Sequence, residues 1–162
     1  MHTDRRTLLG FMGASIPLLL AGCGTSDAQE RFPLELSDAE WRRRLSPEAY
    51  RVLRKSGTER AGSSPLDREK RRGTFGCAGC ANPVFASADK FDSGTGWPSF
   101  TRPIRAGVDT KPERSMLFMA RTECHCARCG GHLGHVFDDG PKPTGQRWCI
   151  NGAALRFAPV RA

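Results

Sequence analysis

The chain has 162 residues, 26% of them charged and 38% hydrophobic, which suits one compact domain and excludes a channel of several membrane spans. Eighteen glycines and eleven prolines break up long helices, exclude a coiled coil and favour a turn-rich, mainly β body. Lysine and arginine outnumber aspartate and glutamate by 25 to 17, a net charge of +8. No basic run is interleaved with aromatic residues as a nucleic-acid groove requires, so the excess is read as a solvated basic surface and no nucleic-acid partner is expected.

The first 22 residues read as an export signal. Arg5 and Arg6 are followed by Thr7-Leu8-Leu9 and an uncharged stretch of about 16 residues that contains Gly10, Gly13 and Pro17. That stretch is too short and too broken for a stable membrane span. The paired arginines resemble a twin-arginine signal, and Leu20-Ala21-Gly22-Cys23 resembles a bacterial lipobox in which Cys23 receives lipid. The expected mature protein is therefore exported to the periplasmic or cell-envelope side and anchored to a membrane through Cys23. Residues 23–36 carry the lipidated cysteine and a tether without periodicity.

The body is expected over residues 37–160. Ser37-Asp38-Ala39-Glu40 is a capping box and predicts a helix from Asp38 to about Arg44. Ser46 and Pro47 start a second helix, which Gly57 should end. Trp41, Leu45, Tyr50 and Leu53 are apolar at helical spacing and read as core. Residues 56–73 are polar and glycine-containing, and read as a loop. From Thr74 onward short apolar runs alternate with Gly, Pro and Asp, so the rest is expected to be antiparallel strands. Met116 to Met119, Val136-Phe137 and Trp148 to Ile150 are the strand-like runs, the last two separated by a turn at Asp139-Gly140-Pro141.

Seven cysteines divide by context. Cys77 and Cys80 form one C-x-x-C pair and Cys126 and Cys129 another, with 45 residues between the pairs. Each pair presents two thiolates on a tight turn, and two such turns complete a tetrahedron about 2.3 Å from one ion. Gly130 follows Cys129, where a knuckle favours a small residue. Zinc as a structural brace is the reading, with iron open on ligands alone and paired disulfides the bland alternative. If Gln146 to Asn151 is a strand, its period of two puts Trp148 and Ile150 on one face, and Arg147, Cys149 and Asn151 on the other. A thiol beside a guanidinium and a carboxamide suits nucleophilic or redox chemistry, because a neighbouring Arg lowers its pKa. Cys124 lacks such company. His132 and His135 can converge on a pocket or ligate a metal, and spacing alone leaves a structural role open.

At this point the chain resembles the methionine-R-sulfoxide reductases, the B type of peptide-methionine sulfoxide reductase. The resemblance rests on Lys90-Phe-Asp-Ser-Gly-Thr-Gly-Trp-Pro-Ser-Phe100, His132-Leu-Gly-His-Val-Phe137 and Arg147-Trp-Cys-Ile-Asn151. Gly57-Thr-Glu-Arg60 and the C-x-x-C pairs are similar to the zinc-containing branch. It implies two small antiparallel sheets, with zinc opposite the active site. It implies that Cys149 attacks the sulfoxide sulfur and becomes a sulfenic acid, the reversible rung of cysteine oxidation. Trp97 and Phe137 would bind the substrate, His132, His135 and Asp139 would help protonate the departing oxygen, and Arg147 and Asn151 would tune and place the nucleophile. A thioredoxin-like protein would return electrons, oxidised methionine in envelope proteins or peptides would be the substrate, and a monomer is the default. Many relatives carry a resolving cysteine where this chain has Thr95, so regeneration is expected either by direct reduction of the sulfenic acid or through another thiol, for which Cys124 is the spare candidate. The competing readings are an exported, non-enzymatic zinc-binding interaction module and a disulfide oxidoreductase using one C-x-x-C. The latter calls for a βαβ setting that neither pair has.

Overall fold

The computed structural model describes residues 31–114 and 120–160. The export signal, Cys23 and the run Met116 to Met119 lie outside the described residues. Among the described residues no helix is long and apolar enough to cross a membrane.

The chain enters through two short helices, α1 (Asp38–Arg44) and α2 (Pro47–Lys55). The capping box is formed: the Ser37 hydroxyl accepts from the Glu40 amide, and the Glu40 carboxylate accepts from the Ser37 amide. Ser46 caps α2 at the Ala49 amide, and Pro47 takes the first position, where its missing N–H costs nothing. The helix ends one residue earlier than expected. Ser56 itself adopts the left-handed conformation, at φ 49°, and Gly57 donates back to the Arg51 carbonyl. Trp41, Leu45, Tyr50 and Leu53 are all buried. The stretch expected as a loop contains one turn of 3-10 helix, Pro65–Arg68.

Among the described residues nine strands follow, in two antiparallel sheets. β1 (Gly73–Cys77), β2 (Pro83–Ala86) and β9 (Leu155–Pro159) form the small sheet, in the order β2-β1-β9. β3 (Lys90–Phe91), β4 (Ser99–Phe100), β5 (Val108–Arg114), β6 (Ala120–Cys126), β7 (His132–Phe137) and β8 (Arg147–Ile150) form the large one, in the order β3-β4-β8-β7-β6-β5. The mainly β, two-sheet expectation is met. Aromatic rings join the sheets: Phe85 stacks on Phe100 at 4.4 Å between centroids, and Phe75 meets Phe100 edge-on at 5.0 Å. Trp148 joins them beside Phe85. Burying such rings is the main stabilising term, since each removes a large apolar surface from water.

The segment expected as a tether is partly built into the body. Leu34 donates its amide to the Arg128 carbonyl, the Phe32 ring meets His125 edge-on, and Leu34 and Leu36 pack on the core.

Candidate functional site

β8 alternates as its sequence predicts. Trp148 and Ile150 are buried, whereas Arg147 and Cys149 are partly exposed on the other face. Its neighbours fix what surrounds the thiol. Cys149 lies opposite Ser99 of β4 on one side and His135 of β7 on the other, and His135 in turn lies opposite Glu123 of β6. β7 closes tightly on β8 because Gly134 has no side chain: a Cβ there would lie 2.0 Å from the Cys149 carbonyl oxygen.

Cys149 opens into a cleft of about 170 Å³ lined by Thr58, Trp97, Arg121, His135, Phe137 and Asn151 among others. A larger hollow of about 570 Å³, lined by Leu66, Ala153 and Phe157 among others, holds no thiol or imidazole. Chemistry therefore points to the smaller cleft. Trp97 projects from a loop with positive φ at Gly94 and Gly96, and its indole N–H donates to the Glu59 carbonyl at 3.2 Å.

Each histidine is held by a carboxylate that sequence reading did not single out. His132 Nδ1 is 2.7 Å from Glu123 Oε1, and His135 Nε2 is 2.7 Å from Glu113 Oε2. Burial works to raise the Glu123 pKa, but hydrogen bonds from His132 and Lys111 outweigh it and bring the carboxyl down to about 2. An ionised Glu123 makes His132 Nδ1 the donor, and His132 Nε2 meets no protein partner among the described residues. His132 is buried, its ring 5.3 Å from that of His135, which lines the cleft directly. The polar alternation of Arg121 and Glu123 along β6 hinted at these partners, but the strand register that selects them is long-range.

Arg147 is shared. Its Nε and a terminal nitrogen reach the two Asp139 oxygens at 2.8 Å each, and its guanidinium lies 4.4 Å from the Phe137 ring centre. Asp139 is thus 62% exposed and tied to Arg147 rather than aimed at the thiol. The expected lowering of the Cys149 pKa is overturned in sum. Burial raises it above the ordinary thiol value, and the Arg147 charge and hydrogen bonds from Thr95 and Arg147 offset this only in part. Asn151 is fully engaged: its carbonyl oxygen accepts from the Glu59 amide at 2.9 Å and its NH2 donates to the Leu133 carbonyl at 3.0 Å.

Cys124 is not brought to Cys149. It stands opposite Gly134, which stands opposite Ile150, so its side chain shares the buried core face. Two strand spacings put the two cysteines about 10 Å apart on opposite faces, beyond the reach of a disulfide. Burial also raises its thiol pKa. The hydroxyl of Thr95, by contrast, is a hydrogen-bond partner of Cys149, and it is bonded to Ser93 at 2.8 Å.

The four remaining cysteines converge. Cys77, Cys80, Cys126 and Cys129 place their sulfurs within 4.8 Å of one another, with Cys77 to Cys129 at 3.7 Å and Cys80 to Cys126 at 3.5 Å. A tetrahedron with sulfurs about 2.3 Å from its centre has edges of about 3.8 Å, so the donor set fits a four-coordinate thiophilic ion. The residue after each pair takes positive φ, Gly130 at 64° and Ala81 at 60°. Their amides donate to the carbonyls of Cys126 and Cys77, closing two equivalent turns.

The SelR domain family is matched over residues 45–159. The chain belongs to that family. Among its relatives, the peptide methionine sulfoxide reductase MsrB of Agrobacterium fabrum is 52% identical over 124 residues, 76% of this chain and 92% of that protein. Its namesake from Leptospira interrogans is 49% identical over 126 residues, 78% of this chain and 96% of that protein. That of Bradyrhizobium diazoefficiens is 55% identical over 124 residues, 76% of this chain and 88% of that protein.

The electrostatics at Cys149 carry a signed prediction. Arg147→Ala removes a lowering influence, and should move the pH midpoint of Cys149 alkylation by iodoacetamide upward. Asp139→Asn removes a raising influence and should move it downward. Mass spectrometry of the Cys149 peptide across pH reads both, and equal midpoints for all three proteins would refute the assignment.

Proposed function

We propose that this protein is a peptide-methionine (R)-S-oxide reductase in which Cys149 is the nucleophile. The observation that carries the reading is a half-buried thiol at the floor of a small cleft, with an indole on one wall and an imidazole on another, in a chain of this family. The Cys149 sulfur attacks the sulfoxide sulfur as the S–O bond breaks. The oxygen, protonated twice, leaves as water and the Cys149 sulfur stays bonded to the substrate sulfur. A water oxygen then bonds to the Cys149 sulfur as that S–S bond breaks, which releases methionine and a proton and leaves Cys149 as sulfenic acid. The sulfoxide is reduced by two electrons to the thioether and Cys149 is oxidised by two. Two further thiols then return Cys149 to the thiol, giving one disulfide and one water. His135, at the cleft and coupled to Glu113, is the nearest proton source, since the oxygen is a poor leaving group unprotonated. Trp97 and Phe137 supply the apolar walls that the methyl and thioether groups need.

Cys77, Cys80, Cys126 and Cys129 would hold one zinc ion, which is redox-inert and supplies a structural tie. The protein as proposed is a monomer, exported and lipid-anchored at Cys23, and it repairs oxidised methionine in envelope proteins with a thioredoxin-like reductant. The support for export is the sequence of residues 5–23 alone.

Three measurements test these points. With excess dithiothreitol, residues 24–162 should reduce the R epimer of a methionine sulfoxide peptide and leave the S epimer, and Cys149→Ser should abolish turnover. A folded, metal-loaded sample inert to both epimers would overturn the reaction. Elemental analysis should find one zinc per chain, and its removal by a strong chelator should lower the thermal midpoint markedly, because the tie joins distant segments. Cells fed radiolabelled palmitate should label the full chain and not Cys23→Ser; equal labelling would sink the anchor.

A further inference from the structure

We infer that Glu59 is a positioning residue that sets Trp97 and Asn151 against the thiol, an inference that rests on the reaction proposed above. Glu59 follows the second helix in a polar stretch, yet it is only 4% exposed. A carboxylate buried there needs strong partners, and it has them: Oε1 accepts from the Gly152 amide at 2.6 Å and Oε2 from the Ala153 amide at 2.8 Å. Burial raises its pKa, and the two amide bonds work against that shift.

The backbone of the same residue bonds to two side chains that line the cleft. The Glu59 amide donates to Asn151 Oδ1, and its carbonyl accepts the Trp97 indole N–H. Thr58, one residue before, lines the cleft itself. One residue thus joins three separate segments: the loop after α2, the loop carrying Trp97, and the chain leaving β8 two to four residues beyond Cys149. The carboxylate is what locks this peptide in place. It grips the two amides that follow Asn151, so the loop cannot shift without dragging the end of β8 with it. The fit at Gly152 is close: a Cβ there would lie 2.0 Å from the Ser64 hydroxyl and 3.3 Å from Glu59 Oε1.

Glu59 does not touch the cleft with its side chain chemistry. Its backbone holds the Trp97 indole N–H, on the wall assigned to the substrate, and the Asn151 carboxamide oxygen. Loss of the carboxylate should therefore weaken substrate binding more than it alters the thiol.

Glu59→Gln keeps the shape but offers an NH2 where one of the two amides requires an acceptor. Near-saturating and limiting substrate kinetics with the R-sulfoxide peptide should show KM raised about tenfold with a smaller loss in kcat, as expected for a misplaced binding wall. Trp41 and Trp148 are 3% and 8% exposed, so acrylamide quenching of fluorescence reports chiefly on half-buried Trp97. Quenching should rise in Glu59→Gln. Trp97→Phe lacks the indole N–H, and in that background Glu59→Gln should add no further rise in KM. Multiplicative KM effects together with unchanged quenching would overturn the inference. Should Glu59→Gln fail to fold, Glu59→Asp, one methylene shorter, is read by the same two measurements. An inactive wild-type protein would refute the proposed reaction, while the quenching comparison would still decide the tether to Trp97.

Discussion

The register of β8 between β4 and β7 is the constraint on which the site depends. A strand alternates its side chains, so a slip of one residue would send Cys149 into the aromatic core and Trp148 into the cleft. Three features hold it. Trp148 packs near Phe85 and stands opposite Phe100, Ile150 is fully buried and donates to the Pro98 carbonyl, and Gly134 lets β7 approach closer than any side chain permits. From that register follows a row across the sheet, Ser99, Cys149, His135, Glu123 and Lys111. Hydrophobic burial on one face thus specifies the chemistry on the other.

The cysteine cluster acts on the same row from a distance. Cys77 ends the small-sheet strand β1 and Cys126 ends the large-sheet strand β6, so an ion shared by the two turns would tie one sheet to the other. Glu123 lies three residues before Cys126 on β6, and it is the residue that orients His132. Arg54 of α2 adds a hydrogen bond to the Cys129 carbonyl at 2.9 Å, which seats the helix on the second turn. A brace that fixes the end of β6 therefore also fixes the carboxylate under the histidines, without any of the four sulfurs entering the cleft.

Local signals in the sequence were readable and distant ones were not. The capping box, Pro47, the two C-x-x-C turns and the alternation of Arg147 to Ile150 each encode their geometry within a few residues, and the structure follows them. The carboxylates behind the histidines were missed because Glu123 and His132 meet only through the pairing of β6 with β7, which carries a register shift between Cys124 and His125. The same pairing turns Cys124 inward, where composition alone could not place it. The sign of the Cys149 shift was misread for a related cause. A neighbouring Arg is visible in the sequence, but burial of the thiol and the prior claim of Asp139 on that Arg are not.

These two misreadings bear on one another. Burial lifts the Cys149 thiol above its ordinary pKa, and Arg147 and Thr95 ease its ionisation only in part. Once oxidised, Cys149 has the Thr95 hydroxyl beside it where a second thiol would offer intramolecular resolution, and Cys124 is on the far side of the sheet. The four remaining described cysteines are gathered at the ends of β1 and β6 and are buried. Among the described residues no other thiol reaches the cleft. On the reaction proposed above, a reductant would approach Cys149 through the opening that admits the substrate, and the two would occupy it in turn. The cleft has to fit an oxidised methionine side chain and, after methionine leaves, the attacking thiol of another molecule. Its small volume and its shallow, partly exposed nucleophile meet both demands better than a deep pocket tailored to one of them.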